Sequence, residues 1–183
     1  TAPGVPFVYY GEEIGMSGVK PDPQIRTPMQ WSGGEGTGFT DGQPWEAINA
    51  DAATVNVAAQ DQDEASLLNR YRLLIRMRNA NSALRSTDAW LLETGNRGVY
   101  AVLRADAHQA LLVLVNLDDE DVQDYQLSLE SSPLAGSFLV SDMVQAGVEP
   151  QPALTVDASG GFAGYRPVPN LVAGGISVLE LLP

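Results

Sequence analysis

The stretch GVPFVYYGEEIGMSGVKPDPQIRTPMQW, residues 4–31, decides the predicted fold. Its apolar run Val5–Tyr10 is rich in β-branched and aromatic residues and does not alternate with polar ones. A short run that is apolar at every position is typical of a strand covered on both faces, as in a parallel α/β sheet. The run ends at Gly11, and two adjacent carboxylates follow it, Glu12 and Glu13. Barrel enzymes place their chemistry on loops just past the carboxyl ends of such strands, so the next loop is the candidate site.

A long loop is predicted after this strand, from Gly15 to about Gln60. Glycine and proline recur throughout it, and both residue types disfavour regular secondary structure. The loop also carries three large aromatic residues, Trp31, Phe39 and Trp45. Disordered linkers rarely contain such residues, whereas long loops in compact domains are often functional. We therefore expect an ordered active-site loop in preference to a linker.

A helix is predicted next, ending near residues 79–81. Asp61 or Asp63 is a suitable N-cap. An apolar face follows at helical spacing and consists of Leu67, Tyr71, Leu74 and Ile75, with Leu68 beside it. The arginines of the segment, at positions 70, 72, 76 and 78, are best interpreted as a solvated helix face.

Beyond Leu84 the sequence changes to short β-type segments separated by turn residues. The predicted strands are Ala89–Glu93, Val99–Arg104, Ala110–Leu117, Gln123–Leu129, Ser137–Val140, Leu154–Val156 and Ile176–Leu182. Strands of this length at spacings of roughly ten residues, with no helix between them, indicate an antiparallel sandwich or barrel. The acidic run at 118–121 is interpreted as a solvated hairpin turn, because its spacing does not suit a calcium loop.

Composition excludes several classes of function. Of 183 residues, 10 are basic and 23 are acidic, which gives a formal net charge of −13. Such a charge argues against binding to nucleic acid or to an anionic membrane and fits a neutral substrate. The absence of cysteine excludes a disulfide framework and a thiolate metal site. We expect a soluble protein with no cofactor and no metal site; its compartment stays undetermined.

Two motifs carry a resemblance to a known family. Residues 3–16, PGVPFVYYGEEIGM, and residues 25–31, IRTPMQW, resemble the α-amylase family of glycoside hydrolases, and most closely its oligo-1,6-glucosidase and trehalose synthase branches. The resemblance implies an α+β chain. Residues 1–84 would be the last βα unit of a (β/α)8 TIM barrel, comprising strand 8, a long active-site loop and helix 8. Residues 85–183 would form the antiparallel β-sandwich domain that follows the barrel in this family.

The catalytic residues of that family are not found in this sequence. Retaining glycoside hydrolysis needs one carboxylate as nucleophile and another carboxyl group as general acid/base. Glu12 and Glu13 are poor candidates, since adjacent residues on a strand point to opposite faces. His108 is the only histidine, and its turn context predicts a surface position. The resemblance places the catalytic acids on earlier strands, so we expect the chain to be the C-terminal part of a longer enzyme.

Five residues are predicted to contribute to substrate binding. The resemblance implies that Arg26 reaches into the sugar pocket and contacts hydroxyl groups or an acidic neighbour, a task that suits the planar guanidinium. Asp22 is expected to steady Arg26 or to bind a hydroxyl itself. Trp31 either stacks on a pyranose or fills the base of the loop, and the second interpretation is favoured. Tyr10 and Glu12 are included, although support of the loop is favoured for both over direct contact.

Two classes of function remain open. The first is the C-terminal portion of an enzyme acting on α-linked glucose oligosaccharides, either a hydrolase or a trehalose synthase-like transglucosidase, inert without the rest of the barrel. The second is a non-catalytic β-module that binds carbohydrate or stabilises its neighbour, carried by residues 85–183. The first is favoured because its motifs are long and specific.

Overall fold

The computed structural model describes residues 1–144 and 151–183. The chain forms two compact units. One consists of Thr1–Gly4 together with Arg78–Pro183 and is the β-unit; the other is Val5–Met77 and is the loop unit. This division falls seven residues before the predicted domain boundary at residues 84–85, which stays a prediction.

The β-unit contains a large and a small antiparallel sheet. The large sheet has six strands in the order β1-β2-β3-β8-β5-β6, and the small sheet pairs β4 with β7. The strands are β1 Trp90–Leu91, β2 Val99–Ala105, β3 Ala110–Asn116, β4 Leu127–Leu129, β5 Ser137–Asp142, β6 Gln151–Thr155, β7 Phe162–Tyr165 and β8 Ile176–Leu182. The antiparallel β-structure predicted for this half of the chain is confirmed.

The core of the β-unit lies between its two sheets. Leu103, Leu112 and Leu179 stand opposite one another on β2, β3 and β8, and all three are buried. Leu127 of the small sheet belongs to the same apolar cluster. Each leucine buried in this way contributes roughly 2 kcal/mol through removal of apolar surface from water. The two sheets therefore enclose one core, as expected for a sandwich.

The other face of the large sheet is also buried at its centre. Val102, Val113 and Val178 form the adjacent row on β2, β3 and β8, and none exceeds 2% exposure. The short helix α3, Ser82–Arg85, packs against β2 and β3 and contributes the buried Leu84. The centre of the sheet is consequently covered on both faces, which explains the continuous apolar run of β3.

One buried tyrosine joins the small-sheet side to a distant loop. The hydroxyl of Tyr125, a residue that is 2% exposed, donates to the carbonyl oxygen of Val168 at 2.6 Å. Burial raises the pKa of Tyr125 to about 12, an effect partly opposed by hydrogen bonding from the Val168 backbone and by the charge of Arg166. The neutral phenol is therefore the form that the folded protein holds.

Two arginines hold the first residues of the chain on the β-unit. Arg104 is fully buried on β2, and its guanidinium donates to the carbonyl oxygens of Asp88, Thr1, Leu84 and Ser86. Burial lowers the pKa of Arg104, and the positive charge of Arg78 lowers it further.

Arg78 makes similar bonds. It donates to the carbonyl oxygens of Ala2, Gly4 and Leu84. A buried charge normally requires such dense hydrogen bonding, because desolvation disfavours it strongly. The two side chains together explain why residues 1–4 belong to the β-unit, a role that the sequence analysis did not predict.

The loop unit is built mainly from short turns. It contains three 3-10 segments, Glu12–Ile14, Asp22–Ile25 and Glu35–Gly38, followed by helix α1, Val57–Asp61. Helix α2, Leu67–Ala80, begins in this unit and ends in the other. The buried side chains of Ile14, Met29 and Leu68 form its small apolar core. The ordered loop that we expected is therefore present.

The predicted strand Val5–Tyr10 is wrong for this chain. The segment has no regular structure, and Val5 and Phe7 are 95% and 88% exposed. A strand needs a neighbour to accept and donate its backbone hydrogen bonds. Residues 5–77, all of which the structure describes, contain no strand that could pair with this segment. The apolar composition was read correctly, but the expected neighbours are not supplied by this unit.

The predicted helix exists, but two of its details are wrong. Its N-terminus is capped by Ser66, whose Oγ accepts from the backbone N–H of Asn69 at 3.3 Å, and not by Asp61 or Asp63. Its predicted apolar face is not a buried face either. Leu67 and Ile75 are 41% and 48% exposed, whereas Leu68 is buried. Burial is therefore centred on Leu68, which packs with Ile14 and Met29, and not on the predicted face.

Candidate functional site

The candidate loop changes from exposed to buried within one short segment. Residues 17–26 are all exposed, whereas Thr27, Met29 and Gln30 are almost fully buried. Met29 packs with Ile14 in the small core of the loop unit. The exposed part, which carries Asp22 and Arg26, is thus followed directly by an anchored part.

Gln30 is the main anchor of this loop. Its side chain is fully buried, and its Nε2 donates to the carbonyl oxygen of Val55 and to Oδ1 of Asp51 at 3.4 Å. Its Oε1 accepts from Nδ2 of Asn49 at 3.1 Å, and its backbone oxygen accepts from the N–H of Val57 at 3.0 Å. These bonds join the Arg26 loop to residues 49–57. No role was predicted for Gln30 from the sequence, where the only signal is its position between Met29 and Trp31.

Arg26 and Asp22 form an ion pair, which agrees with the alternative that Asp22 steadies Arg26. Nη2 of Arg26 donates to Oδ2 of Asp22 at 3.1 Å, while Nζ of Lys20 lies 2.5 Å from Oδ1 of the same carboxylate. More than half of each of these side chains is exposed to solvent. Such a surface pair contributes at most about 1 kcal/mol to stability. Its value lies in orientation, because a guanidinium held on one edge keeps other N–H donors available.

Tyr10 supports the same segment from the other side. Its hydroxyl donates to the carbonyl oxygen of Thr27 at 3.1 Å, and its ring centroid lies 4.9 Å from that of Tyr9. Burial raises the pKa of Tyr10, the neighbouring Tyr9 adds to this effect, and the positive charge of Arg26 opposes it. The hydrogen bond from Tyr10 to Thr27 fits the predicted role of Tyr10 as a support of the loop.

The adjacent glutamates differ in their surroundings. Oε2 of Glu12 accepts from the backbone N–H of Tyr9 at 3.2 Å and so stabilises the turn that precedes it. Oε2 of Glu13 is buried and has no hydrogen-bond partner in the part of the chain that the structure describes. Both residues lie on a 3-10 turn and not on a strand. The argument that they point to opposite faces of a strand is therefore wrong.

Trp31 is 51% exposed, which contradicts its interpretation as a core residue. Its backbone N–H donates to the carbonyl oxygen of Thr37, and its backbone oxygen accepts from Ala58, both at 3.0 Å. The main chain at this position is fixed while the indole remains accessible. The stacking alternative is thus sterically open, although substrate contact by Trp31 stays a prediction.

A cavity of about 500 Å³ lies in the loop unit beside this segment. Its lining includes Thr27, Asn49 and Asp51 together with Val19 and Glu46. None of the five predicted substrate residues lines it. The cavity and the Asp22–Arg26 pair are therefore distinct features, and the structure does not gather the predicted residues around one pocket.

Two remaining expectations concern the β-unit. His108 is exposed on the turn between β2 and β3, where its backbone N–H donates to Asp106 at 2.7 Å. In the acidic run, the carboxylate of Asp121 accepts from Asn170 and from the N–H of Ala173, and the pKa of Asp121 is lowered by these bonds, that of Asn170 first. The run is thus tied to the segment before β8.

The comparisons with known proteins confirm the predicted resemblance. Residues 1–87 match the family model of the α-amylase catalytic domain. This part of the chain, with its Arg26 loop, is accordingly similar to the catalytic domain of the α-amylase family of glycoside hydrolases.

Individual relatives agree with this family. The chain is 30% identical over 154 residues to a glucan 1,6-alpha-glucosidase of Streptococcus pneumoniae, covering 64% of this chain and 29% of that protein. It is 29% identical over 154 residues to a probable oligo-1,6-glucosidase of Bacillus subtilis, covering 64% of this chain and 28% of that protein. The chain thus spans less than a third of the length of these relatives.

A solved structure shows the same fold. The trehalose-6-phosphate hydrolase of Bacillus licheniformis superposes with a TM-score of 0.71 over 99% of this chain and 36% of that enzyme, at 19% sequence identity. A likeness at this identity concerns the fold alone. No helix in residues 1–144 and 151–183 combines the length and the apolar character needed to cross a bilayer.

Proposed function

We propose that this chain is the C-terminal part of a retaining glycoside hydrolase that acts on α-linked glucose oligosaccharides. In this proposal the loop bearing Arg26 forms one wall of the sugar cleft. Residues 1–84 end the catalytic barrel, and residues 85–183 form the β-domain that follows it. The chain has no catalytic carboxylate pair of its own and is inactive alone.

The observation that carries the proposal is the way Arg26 is held. One edge of its guanidinium is fixed by Asp22, and the loop behind it is fastened by the buried Gln30. The main chain of the loop is held while the side chain of Arg26 stays exposed. The N–H groups of Arg26 that do not contact Asp22 are therefore available to a ligand. Hydroxyl groups of a sugar are suitable acceptors for such preorganised donors.

The exposed apolar surface of the loop unit supports a longer parent protein. Val5 and Phe7 are almost fully exposed, and Leu67 and Ile75 of helix α2 are nearly half exposed. Large apolar side chains exposed to this extent are candidates for a surface that another part of a protein covers. In the proposed barrel, neighbouring strands cover the first pair and supply the backbone partners that residues 5–10 lack. The short span relative to the glucosidase relatives fits the same explanation.

Glu12 and Glu13 do not suit the role of catalytic pair. A retaining enzyme requires two carboxyl groups about 5–5.5 Å apart on opposite sides of the glycosidic bond. Glu12 stabilises its own turn, whereas one oxygen of Glu13 is buried. Neither arrangement suits a carboxylate that must reach a sugar together with its neighbour.

Two measurements test the proposal. The purified 183-residue chain is assayed with maltooligosaccharides, isomaltose and trehalose, and no glucose release is expected. The longer protein that contains this chain is then compared with its Arg26→Ala variant. Loss of one preorganised donor group predicts a fall in kcat/KM of roughly 100-fold.

An exposed arginine on helix α2, Arg76, provides the matched control. Arg76→Ala removes the same charge and should leave kcat/KM within about twofold. Turnover by the isolated chain would overturn the claim that the catalytic groups lie elsewhere. Equal kinetics for the Arg26→Ala and Arg76→Ala variants would remove Arg26 from the cleft.

A transglucosidase parent is the second candidate. It rests on the motifs at residues 3–16 and 25–31, which resemble the trehalose synthase branch as well as the oligo-1,6-glucosidase branch of the family. Product analysis separates the two candidates, because a hydrolase increases the number of reducing ends whereas an isomerase converts maltose into trehalose without net bond hydrolysis. Accumulation of trehalose from maltose would select the second.

A further inference from the structure

The turn after Trp31 contains three consecutive residues in the left-handed region of backbone conformation. Gly36, Thr37 and Gly38 have φ angles of 62°, 54° and 68°. Glycine adopts this region at little cost because it has no side chain, whereas a β-branched residue there is a genuine outlier. Among the residues that the structure describes, Thr37 is the only one other than glycine whose φ is positive. The backbone is therefore strained at Thr37.

The strained residue fastens the end of the candidate loop. The carbonyl oxygen of Thr37 accepts from the backbone N–H of Trp31 at 3.0 Å and from that of Ser32 at 2.9 Å. The Oγ1 atom of Thr37 lies 3.2 Å from the carbonyl oxygen of Met29 and 2.8 Å from that of the preceding residue. Because Thr37 is 2% exposed, water does not compete for these bonds. One buried residue thus bonds to both ends of the segment 29–32.

The chain between this turn and Arg26 is stiff. Met29 lies three residues after Arg26, and the φ angle of the intervening Pro28 is fixed by its ring. The hydroxyl of Tyr10 donates to the carbonyl oxygen of Thr27 at 3.1 Å and restrains that residue as well. A displacement of Met29 is therefore passed on to Arg26. A displacement of about 1 Å is enough to remove much of the effect of a preorganised binding group.

Local strain of this kind is informative about function. Left-handed residues other than glycine persist only where the surrounding bonds hold them, and they cluster at binding sites and catalytic sites. A glycine in place of Thr37 would form the same turn without strain. Three consecutive glycines, however, would leave the turn free to adopt other conformations. Thr37 therefore restricts the turn at a cost in backbone energy.

We propose that Thr37 is a positioning residue for Arg26. Its left-handed turn fixes residues 29–32 and so keeps the guanidinium where it meets the sugar. Gln30 fastens the same segment to residues 49–57, whereas Thr37 fastens it to the turn that follows. This inference rests on the proposed function, because sugar contact is assigned there to Arg26.

The first test is kinetic and uses the longer protein that contains this chain. Thr37→Gly suits the backbone conformation but removes both the hydroxyl and the restriction on the turn, so kcat/KM should fall about tenfold. Thr37→Ser retains the hydroxyl and should keep kcat/KM within about threefold of the parent protein. Thr54→Gly is the matched control, because Thr54 is exposed in the same unit and its hydroxyl also donates to a backbone oxygen, that of Asp51 at 3.2 Å. The control should change kcat/KM by less than about twofold.

A double-mutant cycle distinguishes positioning from a general structural role. In the Arg26→Ala background, Thr37→Gly should lower kcat/KM by less than about twofold, because no guanidinium is left to displace. An equal loss with and without Arg26 overturns the inference and leaves the proposed function intact. Full activity of Thr37→Gly beside a defective Arg26→Ala variant has the same meaning. Equal kinetics for Arg26→Ala and the parent protein overturn the proposed function and this inference together.

The second test follows the turn in the 183-residue chain. The Trp45→Phe/Trp90→Phe double variant leaves Trp31 as the only indole, because the chain has three tryptophans. Thr37→Gly in this background should lower the fluorescence anisotropy of Trp31, since the backbone N–H of Trp31 bonds to the turn, whereas Thr54→Gly should leave it unchanged. Circular dichroism verifies that each variant is folded. Equal anisotropy for the two glycine variants overturns the claim that Thr37 holds this segment.

Discussion

Replacement of Arg104 by alanine should destabilise the β-unit more than any surface change in it. The guanidinium donates to carbonyl oxygens from two distant parts of the chain, Thr1 at its start and the segment that contains Leu84, Ser86 and Asp88. Truncation leaves these acceptors without their donor. Because one guanidinium makes all four bonds, their free-energy contributions are lost together and are not a sum of independent terms. Unpaired buried acceptors and the loss of a large buried side chain together cost about 3–5 kcal/mol.

Two variants separate the sources of this loss. Arg104→Met keeps most of the apolar stem but removes the donors, so it should recover only the packing part of the cost. Arg104→Lys keeps the charge with fewer donors and should fall between methionine and the parent chain. The lysine variant also provides a measurable value if the alanine variant does not fold, since small domains are stable by only about 5–15 kcal/mol.

The assay is urea unfolding of the 183-residue chain, followed by circular dichroism in the β-region. Arg97→Ala is the control, because Arg97 is exposed in the loop between β1 and β2 and forms no hydrogen bond in the described part of the chain. It should change the free energy of unfolding by less than about 0.5 kcal/mol. A loss for Arg104→Ala that equals the loss for Arg97→Ala would refute the reasoning.

Three further predictions concern single sites. The folded-state pKa of Tyr125, about 12, lies above its ordinary value of 10, so its contribution to stability is complete below pH 10 and declines by about 2–3 kcal/mol towards pH 12. Alkaline unfolding of Tyr125→Phe should show a shallower decline, and an unchanged slope would contradict this. Gly160→Ala and Gly174→Ala both introduce a side chain at positive φ, at about 1–2 kcal/mol each. Only at Gly160 would the new Cβ lie 2.1 Å from a backbone oxygen, so Gly160→Ala should cost about 2 kcal/mol more in thermal unfolding; equal midpoints would contradict it. Gln30→Leu leaves buried polar partners unpaired and should speed tryptic cleavage of the loop roughly tenfold over Gln24→Leu, a change at an exposed position. Equal cleavage rates would exclude Gln30 as the anchor.

Much of the β-unit was predictable because its signals are local. Strand β8 has the bounds that were predicted from the sequence. Strands β2 and β3 each differ from their predicted bounds by one residue at the C-terminal end. Strand β7, Phe162–Tyr165, was missed. It lies between glycine- and proline-containing segments, and its pairing with β4 is a long-range contact that no local pattern reveals.

The candidate site was predictable only in part. Asp22 was expected either to steady Arg26 or to bind a hydroxyl itself, and the structure contains the Asp22–Arg26 ion pair. The exposure of Trp31 was judged wrongly, because aromatic composition alone does not distinguish an anchored ring from an accessible one. Gln30 was overlooked since its role depends on partners about 20 residues further along the chain.

The sequence by itself determined the related family, the antiparallel character of residues 85–183 and the position of helix α2, since each follows from motifs or periodicities within a short window. The tertiary structure alone decided which polar side chains are buried and which apolar ones are left uncovered. Arg104 and Gln30 are buried because distant carbonyl groups converge on them, whereas Val5 and Phe7 are exposed because no strand lies beside them in their unit. Burial is a property of what surrounds a residue, and those surroundings come from elsewhere in the chain.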